Sequence, residues 1–173
     1  DTPVEFEPWF SYEFSESAPA DTVHCDADGL PDSYPWMRYD VNKRYPQVRQ
    51  VWKKSFEANI VAGFAVKGDK AYFPLASGTL KCISLKDGST LWSRDFGGKI
   101  FSTPAVSGNT IVFGCTDGFV YAVKASDGSL RWKYRTGKSV LASPLIMNDI
   151  VYIGGSDNAF RALRLKDGSA VWT

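Results

Sequence analysis

The sequence predicts an all-β repeat fold, and three observations predict it. Trp52, Trp92, Trp132 and Trp172 stand 40 positions apart without drift. Asp87-Gly88-Ser89, Asp127-Gly128-Ser129 and Asp167-Gly168-Ser169 recur at one offset, a few residues ahead of the last three tryptophans. Between these markers the apolar runs are short, β-branched and aromatic, and none shows the three-and-four spacing that a helix sustains over roughly ten residues. A fixed period of this length belongs to architectures in which one supersecondary unit cannot bury its apolar face alone and stacks on its neighbours.

The unit beginning at Trp92 shows what each copy contains. An extended stretch around Ser102-Thr103-Pro104-Ala105-Val106 ends at Ser107-Gly108-Asn109, where Gly and Asn tolerate a turn. Thr110 to Cys115 then reads as a strand. Asp117-Gly118 makes a hairpin into Phe119 to Val123, and Asp127-Gly128 makes another into Ser129 to Tyr134. Four short antiparallel strands joined by tight turns, repeated every 40 residues, describe a propeller blade. The expected fold is therefore a partial β-propeller of three four-stranded antiparallel blades. Its blades fill residues 47–173, with repeats 52–91, 92–131 and 132–171, behind an acidic leader of residues 1–46.

Trp52, Trp92, Trp132 and Trp172 are read as seals between neighbouring blades, each burial worth on the order of 2 to 3 kcal/mol. Gly88, Gly128 and Gly168 supply turns without a side chain. Cys82, Ala122 and Ala162 share one column and mark a slim position in the sheet. Propellers close with four to eight blades, so three should leave two open sheet faces. With no initiator Met, the chain is read as a fragment, a processed product, or a protomer whose ring is completed by another chain.

These residues also carry a resemblance. STPAV, IVFGCTDGFVYAV and SDGSLRW in the second unit, with ASPLI, VYIGGSDNAFRAL and KDGSAVW in the third, resemble the quinoprotein-like, or PQQ-like, propeller repeat. The likeness runs over residues 52–172. The first unit departs from it: Phe64-Ala65-Val66 lacks the Ser-Pro pair, and Pro74 falls within its second strand, which predicts an edge or bulged strand there. The family includes enzymes and scaffolds, so the resemblance implies a fold more sharply than an activity.

Charge is unevenly spread. Residues 1–40 hold ten carboxylates and one base, Arg38, whereas residues 41–173 hold nine carboxylates and nineteen bases. An excess of bases can mark an anionic partner. Here the bases are scattered through turns and strand ends without a run, which argues against nucleic acid, and the leader itself can neutralise them. No stretch is long and apolar enough to span a membrane.

The leader carries the sharpest local chemistry. Val4 to Glu7 and Phe10 to Phe14 alternate around Pro8-Trp9 as two short extended segments. Asp26, Asp28 and Asp32 surround Gly29 in the manner of oxygen-rich calcium loops, which makes them the candidate metal residues. The bidentate carboxylate of an EF-hand is missing, and an acidic surface loop is the plainer account. His24 is the single histidine, so no multi-histidine centre can be built from this chain, and its neighbour Cys25 does not make it half of a nucleophile pair. Val48 to Trp52 reads as the outermost strand of a blade whose other strands lie elsewhere. Cys25, Cys82 and Cys115 are an odd set with no CxxC spacing, and Cys82 reads as a small core residue.

Asp117 and Asp157 look like a ladder of acids but sit where hairpin turns need them. The family's quinone-dependent enzymes hold pyrroloquinoline quinone at the centre of a complete eight-blade ring, with calcium and often adjacent cysteines. This chain has no adjacent cysteines, so the quinone is not expected on it alone. The resemblance thus implies a non-catalytic protein-binding or assembly scaffold in the periplasm or outside the cell, partnered by a protein or by further blades, with self-association as another route. The alternative is the propeller portion of a larger enzyme, a quinoprotein dehydrogenase or a calcineurin-like metallophosphoesterase fusion.

Overall fold

Short β-branched and aromatic runs, punctuated by glycine turns, can gain stable hydrogen bonds only by pairing with their sequence neighbours, and they do so three times over. The computed structural model describes residues 51–173. The expectations for residues 1–50, including a calcium loop at Asp26, Asp28 and Asp32, lie outside the described residues. The first blade comprises β1 (Ala65–Lys67), β2 (Lys70–Pro74), β3 (Thr79–Ser84) and β4 (Thr90–Asp95). The second comprises β5 (Ala105–Ser107), β6 (Thr110–Gly114), β7 (Phe119–Lys124) and β8 (Leu130–Arg135). The third comprises β9 (Leu145–Met147), β10 (Ile150–Gly154), β11 (Phe160–Arg164) and β12 (Ala170–Trp172).

Each blade is a four-stranded antiparallel meander with strands in sequence order, and the three sheets do not close on one another. The described residues are all-β, a partial propeller. Each repeat tryptophan after the first lies in the fourth strand of a blade. Its register partner in the third strand is the slim residue: Cys82 faces Trp92, Ala122 faces Trp132 and Ala162 faces Trp172. A register shift follows at the same place in every blade, directly after that small residue. A larger side chain opposite the indole would compete with it for one patch of sheet, which explains why the column stays small.

The middle blade shows how the core is organised. Thr110 to Gly114 is buried on both faces. Ile111, Phe113, Tyr121 and Val123 pack with Tyr72, Leu80 and Cys82 of the first blade. Val112, Val120, Ala122 and Trp132 pack with Val151, Ile153 and Leu163 of the third. Because side chains alternate along a strand, two buried faces require a continuous apolar run, and IVF supplies it.

Three sequence expectations change in the structure. Pro74 is not on an edge strand, since β2 lies between β1 and β3. It ends β2, beyond the Lys70–Tyr72 stretch that pairs with β1, so its missing N–H costs no bond on that side. Val51 and Trp52 belong to no strand. Nor are both end faces of the arc open. Phe56 packs tilted against Phe73 and Phe64 stacks on it, with ring centroids at 5.2 and 4.7 Å, and Ala71, Leu75 and Ile83 are fully buried. An extended segment can cap a sheet because burial needs only apolar cover, whatever its secondary structure.

Candidate functional site

The interblade contact is the most highly constructed feature among the described residues, and it is made the same way each time. The indole N–H of Trp52 donates to the Leu85 carbonyl at 2.8 Å, that of Trp92 to Ala125 at 3.1 Å, and that of Trp132 to Leu165 at 2.8 Å. Each bond spans 33 positions, so each tryptophan reaches into the following blade. The ring then lies over the glycine of that blade's Asp-Gly turn. A Cβ on Gly88 would stand 3.0 Å from Trp52, one on Gly128 2.8 Å from Trp92, and one on Gly168 2.6 Å from Trp132. These glycines also hold φ at +71°, +73° and +74°, which alanine adopts only with strain. Two independent demands therefore fix glycine in this column.

A second link runs nearer the first strands. The Gly63 N–H donates to the Thr103 hydroxyl at 3.0 Å, and the Thr103 N–H donates to the Ser143 hydroxyl at 2.9 Å. Gly63, Thr103 and Ser143 are one column of the 40-residue repeat. Sequence reasoning missed this ladder, although two hydroxyl residues at that spacing were the signal available. Trp172 is the exception to the tryptophan pattern. It is 47% exposed and forms an aromatic cluster with Tyr152 and Phe160, at centroid distances of 6.1 and 5.7 Å.

The repeated acids are taken up by the fold. Asp87, Asp127 and Asp167 accept the backbone N–H of Ser89, Ser129 and Ser169 at 2.8 to 3.0 Å. The Ser89 N–H and then its hydroxyl hold the Asp87 carboxyl at about 2, and Ser129 and Ser169, hydroxyl first and N–H second, hold Asp127 and Asp167 below their ordinary range. Asp117 accepts the Tyr121 hydroxyl at 2.6 Å and the Phe119 N–H at 3.1 Å. Asp157 pairs with Arg161 and accepts the Gly137 N–H at 2.9 Å. The Arg161 guanidinium and then the Gly137 amide hold the Asp157 carboxyl well below the usual carboxylate range. Hairpin geometry explains both acids: Gly118 and Asn158 follow them with φ of +87° and +62°.

A lowered carboxyl pKa makes a contribution that is complete above the unfolded value, here 3.8, and disappears as pH falls through the folded one. Asp157→Asn should accordingly lower the melting temperature at pH 7, where it leaves the buried Arg161 without its counter-ion. The difference from the parent chain should shrink below about pH 4. A gap that persists unchanged into acid would refute the assignment.

Cys82 and Cys115 are free and buried, and burial pushes both thiols up to about 11. At neutral pH they are thiols, which react slowly with electrophiles. In a Cys25→Ser background, an aromatic disulfide reagent should titrate both sulfurs only after denaturant unfolds the chain. Rapid reaction in the native state would contradict the packing.

Among the described residues the rims carry open clefts. One of about 550 Å³ lies between the Ser107–Thr110 and Asp149–Ile150 turns and gathers Arg131, Arg164 and Lys166. A smaller one of about 360 Å³ lies beside Lys67 and Asn109. On the other rim, a cleft of about 550 Å³ is lined by Asp117, Arg135, Lys138 and Ser156. Among the described residues no group of three or more His, Cys, Asp or Glu is placed to hold a metal, and no helix is long and apolar enough to cross a membrane.

With this geometry in view, comparison with known proteins gives a family. The family model described as outer membrane protein assembly factor BamB matches residues 44–173. The chain belongs to the BamB family. BamB from Moraxella catarrhalis superposes with a TM-score of 0.61 at 25% identity, over 67% of this chain and 37% of that one. The chain thus spans well under half of that BamB. A computationally designed protein, Ika4, superposes with a TM-score of 0.63 at 18% identity, over 69% of this chain and 74% of that one. A europium-containing methanol dehydrogenase does so at 0.65 and 19% identity, over 76% of this chain and 27% of its own length. At such identities the last two show a shared fold alone. No curated protein matches the chain significantly.

Proposed function

We propose that the chain is a non-catalytic β-propeller segment that serves as a protein-binding or assembly scaffold in the periplasm or outside the cell. The observation that carries this reading is the BamB family match across the whole described arc. The use of the repeated carboxylates supports it: they are held in turns, a tyrosine contact and an arginine pair, and so stabilise the fold. The partner is a protein, or further blades that complete the ring, and the rim loops are the surfaces that select it. In this reading the chain by itself holds no pyrroloquinoline quinone.

Two measurements test the reading. Photo-crosslinking groups placed at Lys138 and Lys166, one on each rim, should capture a defined envelope protein from one rim and not the other. Equilibrium titration with pyrroloquinoline quinone plus calcium should show no saturable binding. Tight saturable binding, or crosslinking that never exceeds that of a scrambled position, would overturn it.

A further inference from the structure

Building on the scaffold reading, we propose that the rim cleft between the second and third blades is the seat of an acidic peptide segment, whose carboxylates Arg131, Arg164 and Lys166 hold. This cleft repeats the one between the first and second blades: Ser107, Asn109, Leu165 and Lys166 line it in the columns of Lys67, Asp69, Ala125 and Ser126. In the first cleft the Lys67 ammonium crosses to the next blade and donates to the Gly108 carbonyl. Ser107 takes its place in the second, and its side chain is too short to make that crossing. The space left open is about 550 Å³, against about 360 Å³ in the first.

Where the latch is lost, positive charge is gained. Arg131 stands where the first blade has Leu91, Lys166 stands where the second blade has Ser126, and Arg164 keeps the charge of Lys124. All three bases are exposed, and none of them forms an ion pair among the described residues. Asp149 is the one carboxylate on the lining, so the cleft is left with an excess of positive charge. Bases gathered from two blades repel one another until an anion comes between them, and packing alone gives no reason to place them there.

The shape and lining select the kind of anion. Gly108 and Asn109 line both clefts, so the positive surface continues along the rim to Lys67 and Lys70. An elongated groove suits a chain bearing several charges better than one small ion. Among the described residues no exposed aromatic ring lines either cleft, Tyr72 being 2% exposed, so the bases of a single-stranded nucleic acid would have nothing to stack on. The planar fork of an arginine takes a carboxylate through two parallel hydrogen bonds, and two such forks flank this cleft. The seat lies between two described blades, so neither end of the arc creates its opening.

The test follows the fluorescence anisotropy of a fluorescein-labelled peptide of alternating glutamate and serine as the full chain is added at low ionic strength. Binding should saturate, weaken as salt is added, and be absent for the same peptide with glutamine in place of glutamate. Arg131→Gln with Arg164→Gln should weaken it about tenfold. Arg135→Gln with Lys138→Gln removes the same charge from the other rim and should leave it unchanged. All four of these side chains are exposed, so their replacement leaves the fold intact. Ser107→Lys separates a shaped seat from plain attraction: it adds a positive charge, yet its ammonium should cross the cleft as that of Lys67 does and weaken binding. Tighter binding by this variant, equal losses from the two rims, or no saturable binding by the parent chain would overturn the proposal. Oligothymidylate or heparin bound through the same arginines more tightly than the peptide would overturn it too, assigning the groove to a nucleic acid or a polysaccharide. If crosslinking from Lys138 captures a protein while the peptide fails to bind, this seat is lost and the scaffold reading stands. Capture from neither rim strikes the scaffold reading, whatever the peptide does.

Discussion

Trp132→Ala should lower the unfolding free energy by about 3 to 5 kcal/mol, the range for truncating a large buried aromatic. Trp132 is the most buried of the four repeat tryptophans, and it is part of the core that joins the second and third blades. Its loss opens a cavity over Gly168 and orphans the Leu165 carbonyl, which an alanine cannot reach. Trp172→Ala removes the same atoms from the same column. That ring is half exposed, and among the described residues its aromatic partners are its own blade's Tyr152 and Phe160, so the expected loss is about 1 kcal/mol. Urea unfolding of both variants, followed by far-ultraviolet circular dichroism, checks the contrast. Equal losses would mean that the indole acts through its own sheet and not through the neighbouring blade.

Gly168→Ala should destabilise by at least about 2 to 3 kcal/mol, of which about 1 to 2 is the left-handed backbone that alanine resists. The rest comes from a methyl group that would lie 2.6 Å from the Trp132 ring, where either the indole or the turn must move. Gly108→Ala is the control. Gly108 holds φ at +53° with nothing within 4 Å of an added Cβ, so only the backbone cost remains. Melting temperatures of the two variants separate strain from contact. If the pair falls by the same amount, the contact with the tryptophan contributes nothing.

The same residues show how far the sequence could be read. The period of the tryptophans and of the Asp-Gly-Ser turns gave the strands, their hairpins and the blade count, because tight turns and alternating side chains are local and leave their pattern in neighbouring residues. The small column at Cys82, Ala122 and Ala162 was visible too, although its reason, an indole directly opposite in the register, came only with the pairing. The direction of each tryptophan was not legible. A ring a few residues after a glycine suggests a local contact, whereas Trp132 passes over the glycine before it and packs on Gly168.

The capping of the first blade by residues 51–64 was equally hidden. Phe56 and Phe64 follow no period, and nothing in their spacing names Phe73 as their partner. The pairing of Asp157 with Arg161 could be suspected from their separation, but Asp117 and Tyr121 share that separation and make a different bond.

By itself, the sequence determined the all-β class, the repeat of 40 residues and the positions of the turns, since each follows from forces acting within a hairpin. The tertiary structure alone decided which face each tryptophan covers and which segment covers the first blade. Those outcomes depend on contacts between segments dozens of residues apart, where burial rewards any apolar surface that arrives and leaves no spacing rule behind.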